Sequence, residues 1–426
     1  MISATEYNKR LADGVYDGRL KLLYGTDDVT AQRTRIAHVL SAFTAQFPET
    51  DVALFSAPGR TELGGNHTDH QHGCVLAASV NLDILACAAP NGSNTIRILS
   101  EGYPLDEVDL SDLTPQAAET NRTAALIRGI AAAAQQRGYA VGGFDAYMTS
   151  NVLSGSGLSS SAAYETMIGV IVNTFFCAGA LSAIDIAVIG QYAENAYFGK
   201  PCGLMDQMAS SVGGIIAIDF ATESDPQVTE IDFPFANAGH ALCIIDTGAD
   251  HADLTDEYAA VPREMKAVAA YFDKPVLRDV PEEQFWSALP ALRKQCGDRA
   301  VLRAAHFFAE NTRAQQEAQA LRDGDFDAFL ALVRASGQSS YMYLQNVYTA
   351  QSPAHQAVSV SLLLAETLLG GRGAVRVHGG GFAGTIQAFV PLDMLEHFKQ
   401  RIEAVLGAGS CHVLNIRPVG GTILLA

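Results

Sequence analysis

One short segment concentrates polar side chains that could do chemistry. From Gly59 to Gly73 it reads GRTELGGNHTDHQHG, with one arginine, two acids, one asparagine and three histidines. Such a set could bind a metal ion, line a pocket for a ligand rich in hydroxyl groups, or form a solvated loop. Three histidines within six residues, without a second cluster in the sequence, fall short of a convincing set of metal ligands. Carboxylates and amides suit vicinal hydroxyls, so a hydroxyl pocket and a solvated loop both stay open, with His70 and His72 in the loop or at the pocket rim.

A glycine- and serine-rich segment, Asn151–Ala163, lies between a predicted strand over 144–149 and a predicted helix over 159–177. Gly155 and Gly157 let the backbone approach a ligand closely, and the free amides at the start of the helix point to the same place. A phosphate could bind there, although a capped turn without a ligand has the same composition. The segment matches neither GxxxxGK[ST] nor GxGxxG, so Walker and dinucleotide-binding folds are not indicated.

Three successive glycines follow His378, between predicted strands over 374–378 and 385–390. Glycine loses more conformational entropy on folding than any other residue, so such a run is costly. It is explained either by a tight hairpin or by backbone that must pack against other backbone or a ligand. The residues alone leave both interpretations open.

Two carboxylates stand in the segment Tyr192–Met208. Glu194 lies in a predicted helix that stops near Gly199, and Asp206 lies at the start of the next helix, where the dipole favours a negative charge. Each has an ordinary explanation: a solvated helix face for Glu194, and a favourable terminal charge for Asp206. Neither residue would be singled out by itself.

Together, and in this order, the four segments resemble the motifs of the galactokinase branch of the GHMP small-molecule kinases. The first segment resembles the family's sugar signature GRxNxxGEHTDY. Gly155–Ala162 resembles its phosphate loop GxGLSSSA, Pro201–Gln207 resembles PCGIMDQ, and Gly379–Gly384 resembles GGGFGG. The resemblance covers most of residues 51–425. It implies an α+β, two-domain GHMP kinase fold, with an N-terminal domain like the second domain of ribosomal protein S5, a ferredoxin-like C-terminal domain, and the site in the cleft between them.

The resemblance also implies an ATP-dependent sugar 1-kinase that uses ATP and Mg²⁺ and prefers D-galactose. Asp206 would be the base for the anomeric hydroxyl, and Arg60 the cation beside it that keeps the carboxylate ionised. Ser161 and Glu194 match the family's magnesium ligands, an all-oxygen pair suited to an ion that keeps several waters. The residues implied to bind the nucleotide are Gly155, Ser156, Gly157, Leu158, Ser159, Ser160 and Ser161.

The sugar-binding residues follow from the same resemblance. The family places a sugar-contacting tyrosine at the position of Tyr258, and Arg376, just before the glycine run, is expected to position that loop. The complete set implied to bind the sugar is Glu62, Asn66, His67, Thr68, Asp69 and Tyr258.

Three positions depart from the family's sugar signature. The glutamate of GEH is Asn66 here, the family's asparagine is Glu62, and the tyrosine after TD is His70. We expect Glu62 to supply the charge that Asn66 lacks, which keeps galactose as the preferred substrate. One alternative is a kinase for a modified galactose, such as N-acetylgalactosamine or galacturonate, because an amide does not repel an anionic sugar. Another is a catalytically silent galactose sensor, against which the intact Ser161 and Asp206 argue.

The elements that must position these residues mix helices and strands without regular alternation, which predicts an α+β chain rather than a doubly wound sheet. The polar stretch 221–228, with its central proline, marks the predicted boundary between an N-terminal domain, 1–222, and a C-terminal domain, 223–426. The other predicted elements are a helical lead-in over 1–48, strands over 75–80, 84–87 and 95–98, helices over 122–137, 255–272, 297–322, 355–369 and 392–406, and two closing strands.

Composition limits the remaining possibilities. With 426 residues, 48% of them hydrophobic, the chain can build two domains that each have a core. A net charge of -18 would repel nucleic acid and acidic membrane surfaces. The seven cysteines lack CxxC spacing and predict reduced thiols. Because no signal-peptide pattern or transmembrane-length apolar run is present, we expect the protein to be cytoplasmic. The resemblance implies that its partners are a small sugar and ATP, and we expect a monomer.

Overall fold

The computed structural model describes residues 1–48, 50–153, 157–200, 202–222, 225–249, 254–382 and 384–425. The helices are α1 (Ala4–Ala12), α2 (Asp17–Tyr24), α3 (Thr30–Gln46), α4 (Thr123–Gln136), α5 (Ser160–Phe176), α6 (Ala183–Ala193), α7 (Met205–Val212), α8 (Thr255–Tyr271), α9 (Glu282–Ser287), α10 (Leu289–Cys296), α11 (Asp298–Arg322), α12 (Phe326–Ser339), α13 (Ala357–Leu369) and α14 (Leu395–Leu406). The strands are β1 (Ile2–Ser3), β2 (Asp51–Gly64), β3 (Cys74–Pro90), β4 (Thr95–Ser100), β5 (Leu105–Asp109), β6 (Phe144–Ser150), β7 (Ile215–Asp219), β8 (Gln227–Ile231), β9 (His240–Asp246), β10 (Ala374–Val377), β11 (Thr385–Pro391), β12 (Cys411–Leu414) and β13 (Thr422–Leu425). Single π-helical turns extend over Glu194–Phe198 and Ser340–Leu344.

The larger sheet is built around the antiparallel pair β2 and β3. One half of β3 pairs with β6 and the other half with β7, and β13 from the end of the chain pairs with β2. The register of β2 against β3 shifts between Pro58 and Arg60. Bulges of this kind redirect side chains and are frequent beside active sites. The shift therefore falls where the sugar signature begins.

Both faces of the large sheet are covered. Alternate residues of a strand point to opposite faces, and in β2 Leu54 packs with α1–α3 whereas Phe55 packs with the core under α4–α6. Helix α3 contributes Ile36 and Val39, each fully buried, to the first of these cores. The predicted helical lead-in is confirmed, because its apolar spacing matches the face that β2 and β3 offer.

The second sheet is antiparallel, in the order β10-β11-β9-β12, and α13 and α14 cover one of its faces. Its other face is continuous with the core of the large sheet, through Leu242, Ile244 and Phe389. Helix α11 packs against β3 and α12, and so lies between the two sheets. This arrangement brings the glycine run, between β10 and β11, toward the sugar signature at the end of β2.

The predicted α+β class is confirmed, with two differences in detail. The strands predicted over 75–80 and 84–87 form one long strand, β3. The predicted boundary at residue 222 falls between β7 and β8, which are neighbours in the large sheet, so that sheet extends beyond the boundary. The division of the chain into two domains there stays a prediction. Within the described residues, no helix is both long and apolar enough to cross a membrane.

Candidate active site

A two-pronged ion pair joins the end of β2 to the start of α7. Nε and Nη2 of Arg60 donate to the two carboxylate oxygens of Asp206, each at 2.7 Å. Arg60 is only 6% exposed, whereas the side chain of Asp206 keeps 31% of its surface open. Burial by itself would raise the pKa of Asp206, but the guanidinium outweighs it and holds that pKa below the usual value. The pair therefore presents an ionised, accessible carboxylate on a buried cation.

The phosphate loop is attached to the same arginine. The backbone N–H of Arg60 donates to the carbonyl of Leu158 at 3.0 Å, and Nη1 donates to the carbonyl of Gly157. Gly157 has φ +70°, and a Cβ at that position would lie 2.9 Å from Nδ1 of His378. Both the backbone angle and the close approach require glycine. The predicted base and the predicted phosphate loop are thus held together by Arg60.

The N-terminus of α5 forms the other side of the phosphate loop. The helix begins at Ser160, and Ser159 immediately before it has φ +53°. The first N–H groups of a helix have no intrahelical partner and favour an anion such as phosphate. Ser161 lies partly exposed in this first turn. The predicted ATP ligands Gly155 and Ser156 lie outside the described residues.

Each carbonyl of the glycine run, Gly379–Gly381, is held by a side chain of the predicted sugar site. Asn66 donates to the first carbonyl at 2.7 Å, His67 to the second at 3.0 Å, and the hydroxyl of Tyr258 to the third at 2.6 Å. The Tyr258 ring also leaves no room for a side chain on the middle glycine, where a Cβ would lie 2.5 Å from Cε1. Close packing explains Gly380 and also Gly381, where a Cβ would lie 2.0 Å from the carbonyl oxygen of Asn346, whereas Gly379 is explained by its φ of +64°.

Asn66 is 1% exposed, and both ends of its amide have protein partners. Its nitrogen donates to Oε1 of Glu62 at 3.1 Å, and its oxygen accepts from Nδ2 of Asn346 at 2.9 Å. Glu62, 4% exposed, is paired with the buried Arg376. Burial raises the pKa of Glu62 and the guanidinium of Arg376 opposes that rise. Both residues thus face protein groups in this structure, and their direct contact with a sugar stays a prediction.

Of the other signature residues, Thr68 stabilises a turn and Asp69 places its carboxylate beside Gly203. The hydroxyl of buried Thr68 lies 2.8 Å and 2.6 Å from the carbonyl oxygens of Gly65 and Cys74, which secures the turn. The side chain of Asp69 is 14% exposed, and its Oδ2 occupies the space that a Cβ on Gly203 would need. Because Gly203 leads directly into α7, the sugar signature lies beside the segment that carries the predicted base.

His67 is electrically neutral at physiological pH. Burial, and then the nearby His70 with its ring centroid 6.0 Å away, lower the pKa of His67 to about 4. Its backbone has φ +60°, a conformation that is uncommon outside glycine. Since a carbonyl only accepts, Nε2 carries the proton in the bond to Gly380. His67 therefore acts as a neutral donor that fixes the glycine run.

A buried glutamine links the predicted magnesium ligand Glu194 to the helix that carries the other, Ser161. Glu194 is 3% exposed. Its Oε1 lies 3.1 Å from Nζ of Lys200, and its Oε2 accepts a hydrogen bond from Nε2 of Gln207 at 2.9 Å. The same Nε2 donates to Oε2 of Glu165 at 2.9 Å. Glu165 follows Ser161 by four residues on α5, so the two side chains share one face of that helix. Burial, reinforced by Glu194, raises the pKa of Glu165 well above its usual value.

Several residues that build this site were not predicted. Gln207 and Glu165 stand beside predicted ligands, one next to Asp206 in sequence and one a helical turn after Ser161, so adjacency was the available signal. Asn346 follows a π-helical turn that leaves no recognisable pattern in the sequence. Its role depends on a partner 280 positions away.

Two family models match this chain. Residues 41–90 match the galactokinase galactose-binding signature, and residues 125–214 match the N-terminal domain of GHMP kinases. The first range contains Arg60 and the sugar signature, and the second contains the phosphate loop, Glu194 and Asp206.

Solved structures share the whole architecture. The crystal structure of Lactococcus lactis galactokinase complexed with galactose superposes with a TM-score of 0.77 at 25% identity, over 91% of this chain and 100% of that chain. Mevalonate kinase from Methanococcus jannaschii gives 0.62 at 12% identity, over 87% and 99%. Streptococcus pneumoniae phosphomevalonate kinase in complex with phosphomevalonate and AMPPNP gives 0.56 at 11% identity, over 85% and 98%. The last two likenesses establish the fold alone.

The fold, the phosphate loop and the Arg60–Asp206 pair, with these matches, indicate a small-molecule kinase that is similar to the GHMP kinases. It is a sugar kinase, and its residues 41–90 are similar to the galactose-binding signature of galactokinases.

Proposed function

We propose that this chain transfers the γ-phosphoryl group of ATP to the anomeric hydroxyl of D-galactose. The observation that carries the proposal is the ion pair between Arg60 and Asp206, which is attached to the phosphate loop at Gly157 and lies beside the sugar signature. An ionised, accessible carboxylate next to phosphate-binding amides suits the activation of a hydroxyl for phosphoryl transfer. The galactose in the L. lactis galactokinase crystal structure supports the choice of sugar.

In this reaction the anomeric oxygen forms a bond to the γ-phosphorus, the bond from that phosphorus to the β–γ bridging oxygen breaks, and ADP leaves. The hydroxyl proton passes to the Asp206 carboxylate. Arg60 keeps that carboxylate ionised and oriented, and its contact with the Gly157 carbonyl sets the distance from the base to the phosphate loop. Most of the acceleration then derives from positioning and charge neutralisation.

The oxygen donors of Ser161 and Glu194 fit a magnesium ion. One hydroxyl and one carboxylate leave most coordination positions to water and to phosphate oxygens, as Mg²⁺ prefers. The Glu194 carboxylate already balances a cation in this structure, the ammonium of Lys200 at 3.1 Å. When bound, the ion would neutralise charge on the transferred phosphate.

The contacts of Asn66 and Glu62 favour galactose over an anionic sugar. Both side chains are closed within protein, and the Glu62 charge is paired with Arg376. The exchange of an acid for an amide at residue 66 therefore does not open a cationic or neutral pocket for a sugar carboxylate. The intact Arg60–Asp206 pair likewise supports a catalyst rather than a silent sensor.

The test is an ADP-release assay with galactose, N-acetylgalactosamine, galacturonate and glucose as separate substrates. We expect the highest kcat/KM with galactose. Phosphorylation at the anomeric hydroxyl removes the reducing end, so a reducing-sugar assay should fall in step with ADP release. ADP release without that fall would refute the anomeric position, and faster turnover of galacturonate would refute the choice of sugar.

Location in the cytoplasm and action as a monomer stay predictions. So does the expectation that nucleic acid and membranes are not partners, which depends on the net charge of -18. The partners that the fold supports are a small sugar and ATP.

A further inference from the structure

Asn346 joins the sugar signature to the glycine run. Its side chain is 0% exposed, shortly after the π-helical turn Ser340–Leu344. Nδ2 donates to Oδ1 of Asn66 at 2.9 Å and to the carbonyl of Gly380 at 3.2 Å. The backbone carbonyl of Asn346 also accepts from the N–H of Phe382. One buried residue therefore holds both segments at the same time.

The surrounding acceptors fix how the two amides are oriented. The nitrogen of Asn66 faces Oε1 of Glu62 and the carbonyl of Gly379, so its oxygen must face Asn346. If the Asn346 amide were turned over, its oxygen would face two further acceptors, the Asn66 oxygen and the Gly380 carbonyl. The arrangement in which Asn346 donates twice avoids this repulsion.

This orientation has a cost. Oδ1 of Asn346 is buried and has no hydrogen-bond partner among the described residues. An unsatisfied buried acceptor is destabilising, and an apolar side chain would avoid it. An apolar side chain would also take a donor away from the Asn66 oxygen and the Gly380 carbonyl, so the amide is explained by the two bonds that it donates.

The glycine run lies between the sugar signature and the phosphate loop. Nε2 of His378, the residue before the run, is 3.0 Å from the hydroxyl of Thr61, which adjoins Arg60. Nδ1 of the same ring lies 2.9 Å from the place where a Cβ on Gly157 would stand. A shift of the run therefore changes how the sugar pocket is placed relative to the phosphate loop. Phosphoryl transfer is sensitive to displacements of about 1 Å.

We infer that Asn346 is a positioning residue for the sugar, which it serves by keeping Asn66 and the glycine run in place relative to the phosphate loop. The inference rests on the proposed function, because it names a determinant of sugar binding in the same site. An amide is required, since aspartate has the same shape but would set a carboxylate against the Asn66 oxygen and the Gly380 carbonyl.

The first experiment compares Asn346→Asp with wild type. We expect the KM for galactose to rise about tenfold and the KM for ATP to change by less than about threefold, since the lost contacts lie on the sugar side of the run. Gln345→Asn is the matched control: Gln345 is partly exposed, its side-chain amide donates to the carbonyl of Met342 in its own turn at 3.5 Å, and it has φ +57°, which asparagine tolerates. It should keep wild-type constants. Equal changes in the KM for galactose and the KM for ATP, or no change in either, would overturn the inference.

A second measurement does not depend on turnover. Asn66→Ala, Asn346→Ala and the double variant should show non-additive losses of galactose binding by calorimetry, since the two amides act as a pair. Amide hydrogen exchange in residues 379–382 should rise in Asn346→Asp and stay unchanged in Gln345→Asn. Additive binding losses together with unchanged exchange would contradict the inference.

The two proposals can fail separately. If wild type does not turn over galactose, the proposed substrate is wrong, and the KM comparison is made with the sugar that the enzyme does accept. If wild type phosphorylates galactose while Asn346→Asp matches it, only the role of Asn346 is wrong.

Discussion

Replacing Asp206 with asparagine removes a negative charge while preserving shape. In the structure both carboxylate oxygens accept from Arg60 at 2.7 Å, and the asparagine retains one oxygen that can still do so. The variant cannot accept the hydroxyl proton. Loss of a positioned base costs about 10² to 10⁴ in rate. Because the sugar's other contacts remain, we expect kcat to fall by that factor and the affinity for galactose to stay within several-fold of wild type.

The same substitution also costs stability, and this must be separated from catalysis. Arg60 is 6% exposed and would lose its counter-charge. Breaking a buried pair in this way costs roughly 3 to 5 kcal/mol, and we expect the lower end because Asp206 is partly open to solvent. The pKa of Asp206 is lowered in the folded protein, so the pair's contribution is complete above the ordinary aspartate range and is lost as the pH falls through the folded pKa. Near neutral pH the stability difference should therefore be constant.

Asp145→Asn provides a matched control. Arg97 binds Asp145 with the same fork, at 2.8 Å and 2.7 Å, and Asp145 is at the start of β6, whereas the phosphate loop follows its end. We expect this variant to lose stability without losing kcat per folded molecule. The assay is ADP release at saturating substrates, with the folded fraction measured by thermal unfolding and galactose affinity by calorimetry. If Asp206→Asn kept more than a tenth of the wild-type kcat, or if Asp145→Asn lost as much, Asp206 would not be the base.

Three further predictions concern buried acids. Glu194→Gln should raise the magnesium concentration needed for half-maximal rate more than it raises the KM for galactose, because a carboxylate oxygen is a better ligand than an amide; a magnesium titration that overlays wild type would remove Glu194 from this role. Glu317 is fully buried and both its oxygens lack partners among the described residues; burial, then Glu310, raises its pKa well above the usual value. An acid with a raised folded pKa lowers the protein's free energy of unfolding as the pH rises above about 4.5, by up to about 1.4 kcal/mol per pH unit. Glu317→Gln should therefore unfold at a higher temperature than wild type at pH 8, and the two unfolding temperatures should converge near pH 4. A constant difference in unfolding temperature across this pH range would contradict the prediction. Asn66→Glu and Glu62→Gln should each reduce kcat/KM for galactose, while the double variant recovers part of the loss; strictly additive losses would show that Glu62 does not compensate for Asn66.

Controls for these variants are available in the same chain. Glu119→Gln, at an ion pair with Arg128 outside the site, should leave the magnesium titration unchanged. The partial recovery of kcat/KM that we expect in the double variant of Asn66→Glu and Glu62→Gln has a physical basis. A second carboxylate at residue 66 would be buried beside Glu62, whose charge is already paired with Arg376.

Much of the fold and part of the site could be predicted because the signals are local. Apolar spacing along the chain predicted the lead-in helices, the long helices after residue 254 and the strands on both sides of the glycine run. The phosphate loop was predictable because glycine and serine before a helix create free amides whatever the rest of the molecule does. The position of Asp206 at the start of a helix was predictable for a similar reason, but its role as the base was implied only by the resemblance to the galactokinases.

The remaining features depend on which distant segments meet. A strand pattern does not specify its partners, so neither the fusion of 75–80 with 84–87 into β3 nor the return of β13 to β2 could be predicted from spacing. Asn66 was predicted to face a sugar, but its amide is occupied by Glu62, Gly379 and Asn346, the last two 313 and 280 positions away. The sequence by itself determined which residues could do chemistry. Only the tertiary structure decided which of them are engaged with protein and which, like Asp206, keep an open side chain, because burial and hydrogen bonding are settled by contacts between segments far apart in the chain.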